Sequence, residues 1–106
     1  MSGTTTTRSA VVLIDEEERL DLTQFAQACG TTIAYVEEMI LEGLLVPHGE
    51  RPALDFGAEE ITRARRALRL QRVFDASLPS VAVMLDLLDE IERLRTQMRR
   101  AGVEPV

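Results

Sequence analysis

Met84, Leu87, Ile91, Leu94 and Met98 recur at spacings of three, four, three and four. This is the a/d pattern that keeps one apolar seam of a helix turned toward a partner helix, and it constrains the chain more than any other feature. A helix carrying it is expected to start at Ser77, since Ser caps a first turn and Pro79 is tolerated there, and to run to about Arg100. In its first half Val81, Leu85 and Leu88 add a second apolar stripe, so that part is expected to touch both its own domain and another chain. The second half, ERLRTQMRR, has the seam alone. Two heptads leave two uses open, homodimerisation through the five seam residues and docking within one chain. Dimerisation is the expectation carried forward. Glu90 and Arg95, at g and the following e, would pair in a parallel dimer, and an antiparallel arrangement stays open beside it.

Upstream of the seam the punctuation is that of short helices. Thr23 is the expected cap of a helix over Gln24 to Cys29, closed by Gly30, and Thr32 caps a second that ends at Gly43. Ile33, Val36 and Ile40, with Met39 on the flank, form the core stripe of that second helix. Two short helices across a tight Gly turn make a helix-turn-helix. LLVPHGERPALDF then reads as a β-wing or loop, and Ala10 to Ile14 could pair with Arg19 to Leu22 as a hairpin. Between Gly57 and Asp75 the helical period returns. Ile61, Ala64, Ala67, Leu68, Leu70 and Phe74 cover one half, with Arg63 intruding at the edge beside Glu59, and Arg65, Arg66, Arg69 and Arg72 cover the other.

The expected organisation is a flexible tail at 1–9, a helix-turn-helix domain at 10–76 and an amphipathic helix at 77–101. At 106 residues, 45% hydrophobic and 28% charged, the chain has the size and apolar content of one small domain. The fold class is mainly α with a small β element.

Catalysis finds little chemistry to use. One Cys and one His exclude a disulfide framework and the usual zinc sites. His48 reads as a turn residue and Cys29 as a buried thiol rather than a nucleophile. There is no GxGxxG or GxxxxGK[ST] phosphate cradle, and the acid run Asp15 to Glu18 lacks the spacing of a calcium loop. No enzyme activity, metal or cofactor is expected. The apolar run Ala10 to Ile14 is too short for a signal sequence or a membrane span, and a reducing cytoplasm suits the cysteine count.

Charge placement is the informative feature. The net charge is −6, and residues 1–57 hold three Arg against ten acids while residues 58–106 hold nine Arg against eight. In a helix-turn-helix DNA reader the second helix offers donors to bases and phosphates. Here its exposed side is Ala34, Tyr35, Glu38, Leu41 and Glu42, with Glu37 on the flank. Three carboxylates facing phosphate argue against DNA and for a basic protein surface. Tyr35, Glu37, Glu38, Leu41 and Glu42 are therefore the candidate partner-binding residues. A solvated acidic face is the plain alternative, and the Arg side of the third helix is the one feature that favours nucleic acid.

These residues resemble a known family. Thr23 to Gly30, Val36 and Glu42-Gly43-Leu44-Leu45-Val46-Pro47 are similar to the helix-turn-helix of MerR-type regulators. Asp55-Phe56, Arg66 to Leu70, Leu78 to Val83, Leu88 to Ile91 and Leu94 resemble the CbpM-type chaperone modulators. The resemblance implies a cytoplasmic, MerR-like protein that binds the basic J-domain of a DnaJ/CbpA-like co-chaperone and restrains its stimulation of a DnaK-type chaperone. The chain has no HPD tripeptide and is not itself a J-protein. Ala34 and Glu37 stand where DNA-binding MerR relatives commonly carry Arg. A MerR-type regulator of the stress response and a non-chaperone adaptor are the alternatives.

Overall fold

The first helix, α1 (Leu22–Cys29), starts from Asp21. In the computed structural model, which describes residues 18–104, the Asp21 carboxylate accepts the Gln24 N–H at 2.8 Å while Gln24 Oε1 accepts the Asp21 N–H at 2.9 Å. The expected Thr23 cap is corrected for this reason: the reciprocal box satisfies two amide donors where a lone Thr satisfies one. Gly30 ends the helix in the left-handed region at φ 75°, with the Thr31 N–H returning to the Ala26 carbonyl. Then α2 (Ile33–Leu41) starts from Thr32, whose hydroxyl accepts the Tyr35 N–H. It closes in the same way through Gly43 at φ 79°, the Leu44 N–H reaching the Met39 carbonyl at 2.9 Å.

That second closure changes which side of α2 is covered. Val36 and Met39 are fully buried, Ile40 is half-buried and Ile33 is 42% exposed. The expected stripe of Ile33, Val36 and Ile40 therefore turns toward Met39. The Leu44 to Met39 hydrogen bond draws the following chain back over this turn, and Leu44 and Leu45 are buried after it. Unbranched Met accommodates such an irregular site well.

The β element is reduced to isolated bridges. Leu20 and Phe56 exchange both backbone hydrogen bonds at 2.8 Å, and His48 pairs with Asp55 to close the loop after α2. Residues 10–14 of the expected hairpin lie outside the described residues, as does the tail at 1–9; its other half pairs with Phe56 instead, and Leu22 belongs to α1. Among the described residues the stretch read as a β-wing or loop carries isolated bridges alone, His48 to Asp55 within it and Phe56 to Leu20 outside it. Phe56 stacks on Phe25, ring centroids 4.2 Å apart at 14°, and both rings are fully buried.

Gly57 donates its N–H to Glu60 Oε1 at 2.7 Å, opening α3 (Ala58–Phe74). Ile61, Ala64 and Ala67 are buried. Arg63 does lie at the edge of this apolar side, and its Nε–H donates to the Leu44 carbonyl oxygen at 2.7 Å, an anchor outside its own helix. Phe74, placed on the covered half by the wheel, is 61% exposed because it is the last residue of the helix. Asp75 follows at φ 50°, and the Ala76 N–H bonds back to the Gln71 carbonyl.

Two compact units divide within α3, between Arg66 and Ala67. The first is built on Phe25, Val36, Met39, Leu44, Leu45 and Phe56. The second contains α4 (Leu78–Arg100), which Ser77 caps by accepting the Ser80 N–H and on which Leu78, Val81 and Leu85 are buried.

Phe56→Ala should remove both the stack and the side chain that anchors the Leu20 bridge. Urea unfolding is expected to show a loss of about 3–5 kcal/mol, most of the margin of a small domain. A loss under about 1 kcal/mol would show that the first unit does not depend on this pair.

Candidate partner-binding face

The sequence leaves the outer side of α2 without a cation of its own. Glu38 and Glu42 are exposed one turn apart, an arrangement whose repulsion favours a positive partner. Leu41, three residues after Glu38 and next to Glu42, is 84% exposed, the largest value for any large apolar residue among the described residues. Ala34 is exposed as well. A side built this way offers carboxylate acceptors around an aliphatic centre and no donor for a phosphate.

Two of the candidate residues are held more closely than the helical wheel implies. Tyr35 is half-buried, and its covered hydroxyl has no hydrogen-bond partner among the described residues. Burial, with the Glu38 carboxylate nearby, pushes the Tyr35 phenol above its ordinary range. Glu37 is half-buried and gripped by Arg51, whose two terminal nitrogens donate to the two carboxylate oxygens at 2.6 and 3.2 Å. The paired guanidinium holds the Glu37 carboxyl below the usual carboxylate range. This clamp ties the loop to α2 and leaves Glu38 and Glu42 as the open charges. Nothing local in the sequence announces it, because Arg51 lies fourteen residues from Glu37.

The seam residues fall on α4. Leu87, Ile91 and Leu94 are 58%, 46% and 44% exposed, and Met84 and Met98 are half-buried. The second stripe is the covered one, with Val81 and Leu85 buried and Leu88 half-buried. Of the α3 arginines, Arg66, Arg69 and Arg72 are exposed, whereas Arg65 is half-buried and donates to the Ala28 carbonyl at 3.0 Å, satisfying the end of α1. Burial pushes the Cys29 thiol up to about 11, with Arg65 partly opposing, so the sulfur is protonated at neutral pH and a poor nucleophile. His48 is an exposed loop residue 3.9 Å from Glu60. Among the described residues no group of His, Cys, Asp and Glu could hold a metal, and no helix is long and apolar enough to cross a membrane.

The sequence profile described as MerR HTH family regulatory protein matches residues 20–101. The chaperone modulatory protein CbpM of Pseudomonas putida (strain W619) is 31% identical over 80 residues, which cover 74% of this chain and 79% of that one. The protein of the same name from Coxiella burnetii (strain Dugway 5J108-111) is 29% identical over 89 residues, covering 83% and 84%.

The Arg51 clamp has a consequence for titration. Its hydrogen bonds depress the folded-state value of Glu37, so the pair persists above the ordinary carboxylate range and is lost only as pH falls through the lowered value. Carbon-detected NMR titration should place Glu37 below the usual carboxylate range, and Arg51→Gln should raise it. An ordinary value in the wild type would mean that the clamp does not form in solution.

Proposed function

Because the chain belongs to the CbpM-like, MerR-like helix-turn-helix family, we propose that it is a chaperone modulator. It binds the J-domain of a DnaJ/CbpA-like co-chaperone and restrains that protein's stimulation of a DnaK-type chaperone. The observation that carries this reading is the exposed Leu41 beside the open Glu38 and Glu42. An exposed aliphatic residue with open carboxylates next to it suits a basic, amphipathic surface of another protein, with the charges steering the encounter and the apolar contact prolonging it. Tyr35 and Glu37 form the inner edge of the same face, fixed by burial and by Arg51. The work is binding in the cytoplasm, without catalysis and without a cofactor.

The exposed line of Leu87, Ile91 and Leu94 supports a homodimer formed through α4 together with Met84 and Met98. The two compact units thereby take separate tasks, partner binding in the first and self-association in the second.

A DNA-binding regulator of the stress response is the second reading, favoured by the exposed Arg66, Arg69 and Arg72 on α3. The acids on α2 oppose it, since DNA affinity rests on neutralising phosphates.

Surface plasmon resonance against a purified J-domain separates the two. Binding should weaken as salt rises, and joint reversal of Glu38 and Glu42 to Arg should slow association while circular dichroism stays unchanged. The Leu41→Ala variant should dissociate faster. Submicromolar binding to duplex DNA that falls steeply with salt, with none to the J-domain, would replace this reading by the regulator.

A further inference from the structure

The turn after α2 carries more than the end of a helix. Leu41 and Val46 are the two most exposed large apolar residues among the described residues, at 84% and 77%. They bracket Leu44 and Leu45, which are buried, so the turn is anchored from beneath while its two ends face solvent. The turn is also fixed along its backbone: Glu42, Gly43 and Leu44 donate to the carbonyls of Glu38, Ile40 and Met39. Leu41 and Val46 are therefore presented by an ordered segment.

Beside this turn lies a hollow of about 250 Å³, walled by Leu45 and Val46 on one side and by Glu59, Glu60 and Arg63 of α3 on the other. The charges lining it are not equivalent. Glu60 accepts the Gly57 N–H and lies near His48, and the Arg63 Nε–H is committed to the Leu44 carbonyl. Glu59 is exposed and has no ion pair or hydrogen bond among the described residues. Glu38 and Glu42 stand on the α2 side of the same turn. The result is an aliphatic ledge, with Glu38 and Glu42 on the α2 side of the turn and, on the α3 side, a hollow lined by Glu59, Glu60 and Arg63.

We propose that this ledge seats a basic amphipathic helix of the partner, with Leu41 and Val46 meeting its apolar side and Glu59 receiving the head of a long Lys or Arg whose stem lies in the hollow. Such a side chain suits the site in kind: its methylenes would cover Val46 and Leu45, and its charged end would remain at the rim near water. A phosphate-bearing ligand would meet three carboxylates. The inference rests on the reading of the chain as a J-domain binder, and it moves the interface beyond α2 onto the following turn and the first turn of α3. Neither Val46 nor Glu59 stands out in the sequence, because their proximity arises only when α3 packs beside the turn.

The test uses the full chain labelled with ¹⁵N and two probes: a purified DnaJ/CbpA-like J-domain, and a synthetic amphipathic helix made of Leu and Lys. Amide signals of 41–46 and of 58–60 are expected to shift with both. Val46→Asp and Glu59→Arg should each weaken binding roughly tenfold, whereas Glu104→Arg, with the same change in net charge as Glu59→Arg, should leave it within about twofold. Circular dichroism confirms folding, since both altered side chains are exposed. Wild-type affinity in both variants, beside a loss on joint reversal of Glu38 and Glu42, would confine the interface to α2 and overturn the ledge. Shifts of 41–46 that follow protein concentration without a probe would overturn it in favour of a second copy. Binding of the Leu/Lys helix at the ledge without any binding of the J-domain would overturn the J-domain reading and sustain the ledge; binding of neither would overturn both.

Discussion

The first unit depends on the stacked rings of Phe25 and Phe56. Phe25 is on α1, and Phe56 stands at the entry to α3, joined through its backbone to Leu20 just before α1. The pair thereby closes a circuit of chain that runs out through both short helices and the loop and returns to its start. The face of α2 opposite this closure is the one left to solvent. Val36 and Met39 are covered on the inner side, and the end of α2 is turned back by Leu44. A ring pair of this kind contributes its buried area together with a smaller term for ring geometry.

The arginines complete the frame in a way that bears on function. Arg51 holds Glu37, Arg63 holds the Leu44 carbonyl and Arg65 holds the Ala28 carbonyl. Each guanidinium fixes a helix end or a loop, and together they commit the cations nearest α2 to internal contacts. Glu38, Glu42 and Glu59 are left facing solvent around Leu41 and Val46. The acidity of the face is thus a product of where the cations are spent as well as of how many acids the sequence contains.

What was legible in the sequence was local. Gly30 and Gly43 mark the helix ends because few other residues adopt the left-handed backbone readily, and the seam from Met84 to Met98 needs only its spacing to be seen. Asp21 was legible too, through its spacing from Gln24, but Thr23 offers a competing cap two residues further on. The Leu20 pairing with Phe56 was hidden by separation, since strand propensity cannot select a partner thirty-six residues away. On α2 the wheel favoured Ile33 over Met39, and the returning chain at Leu44 decided otherwise. At the candidate site the open acids could be read from the sequence, while the Glu37 clamp and the Val46 and Glu59 extension required the loop and α3 to be in place.

The central claim is that this face acts on a co-chaperone by covering its J-domain. The most direct measurement is the steady-state ATPase of a DnaK-type chaperone, stimulated by its DnaJ/CbpA-like partner, as this protein is added. The stimulated part of the rate should fall toward the basal rate as the added protein saturates the co-chaperone, while the basal rate without co-chaperone stays the same. A stimulated rate that is unaffected at saturating protein would contradict the account.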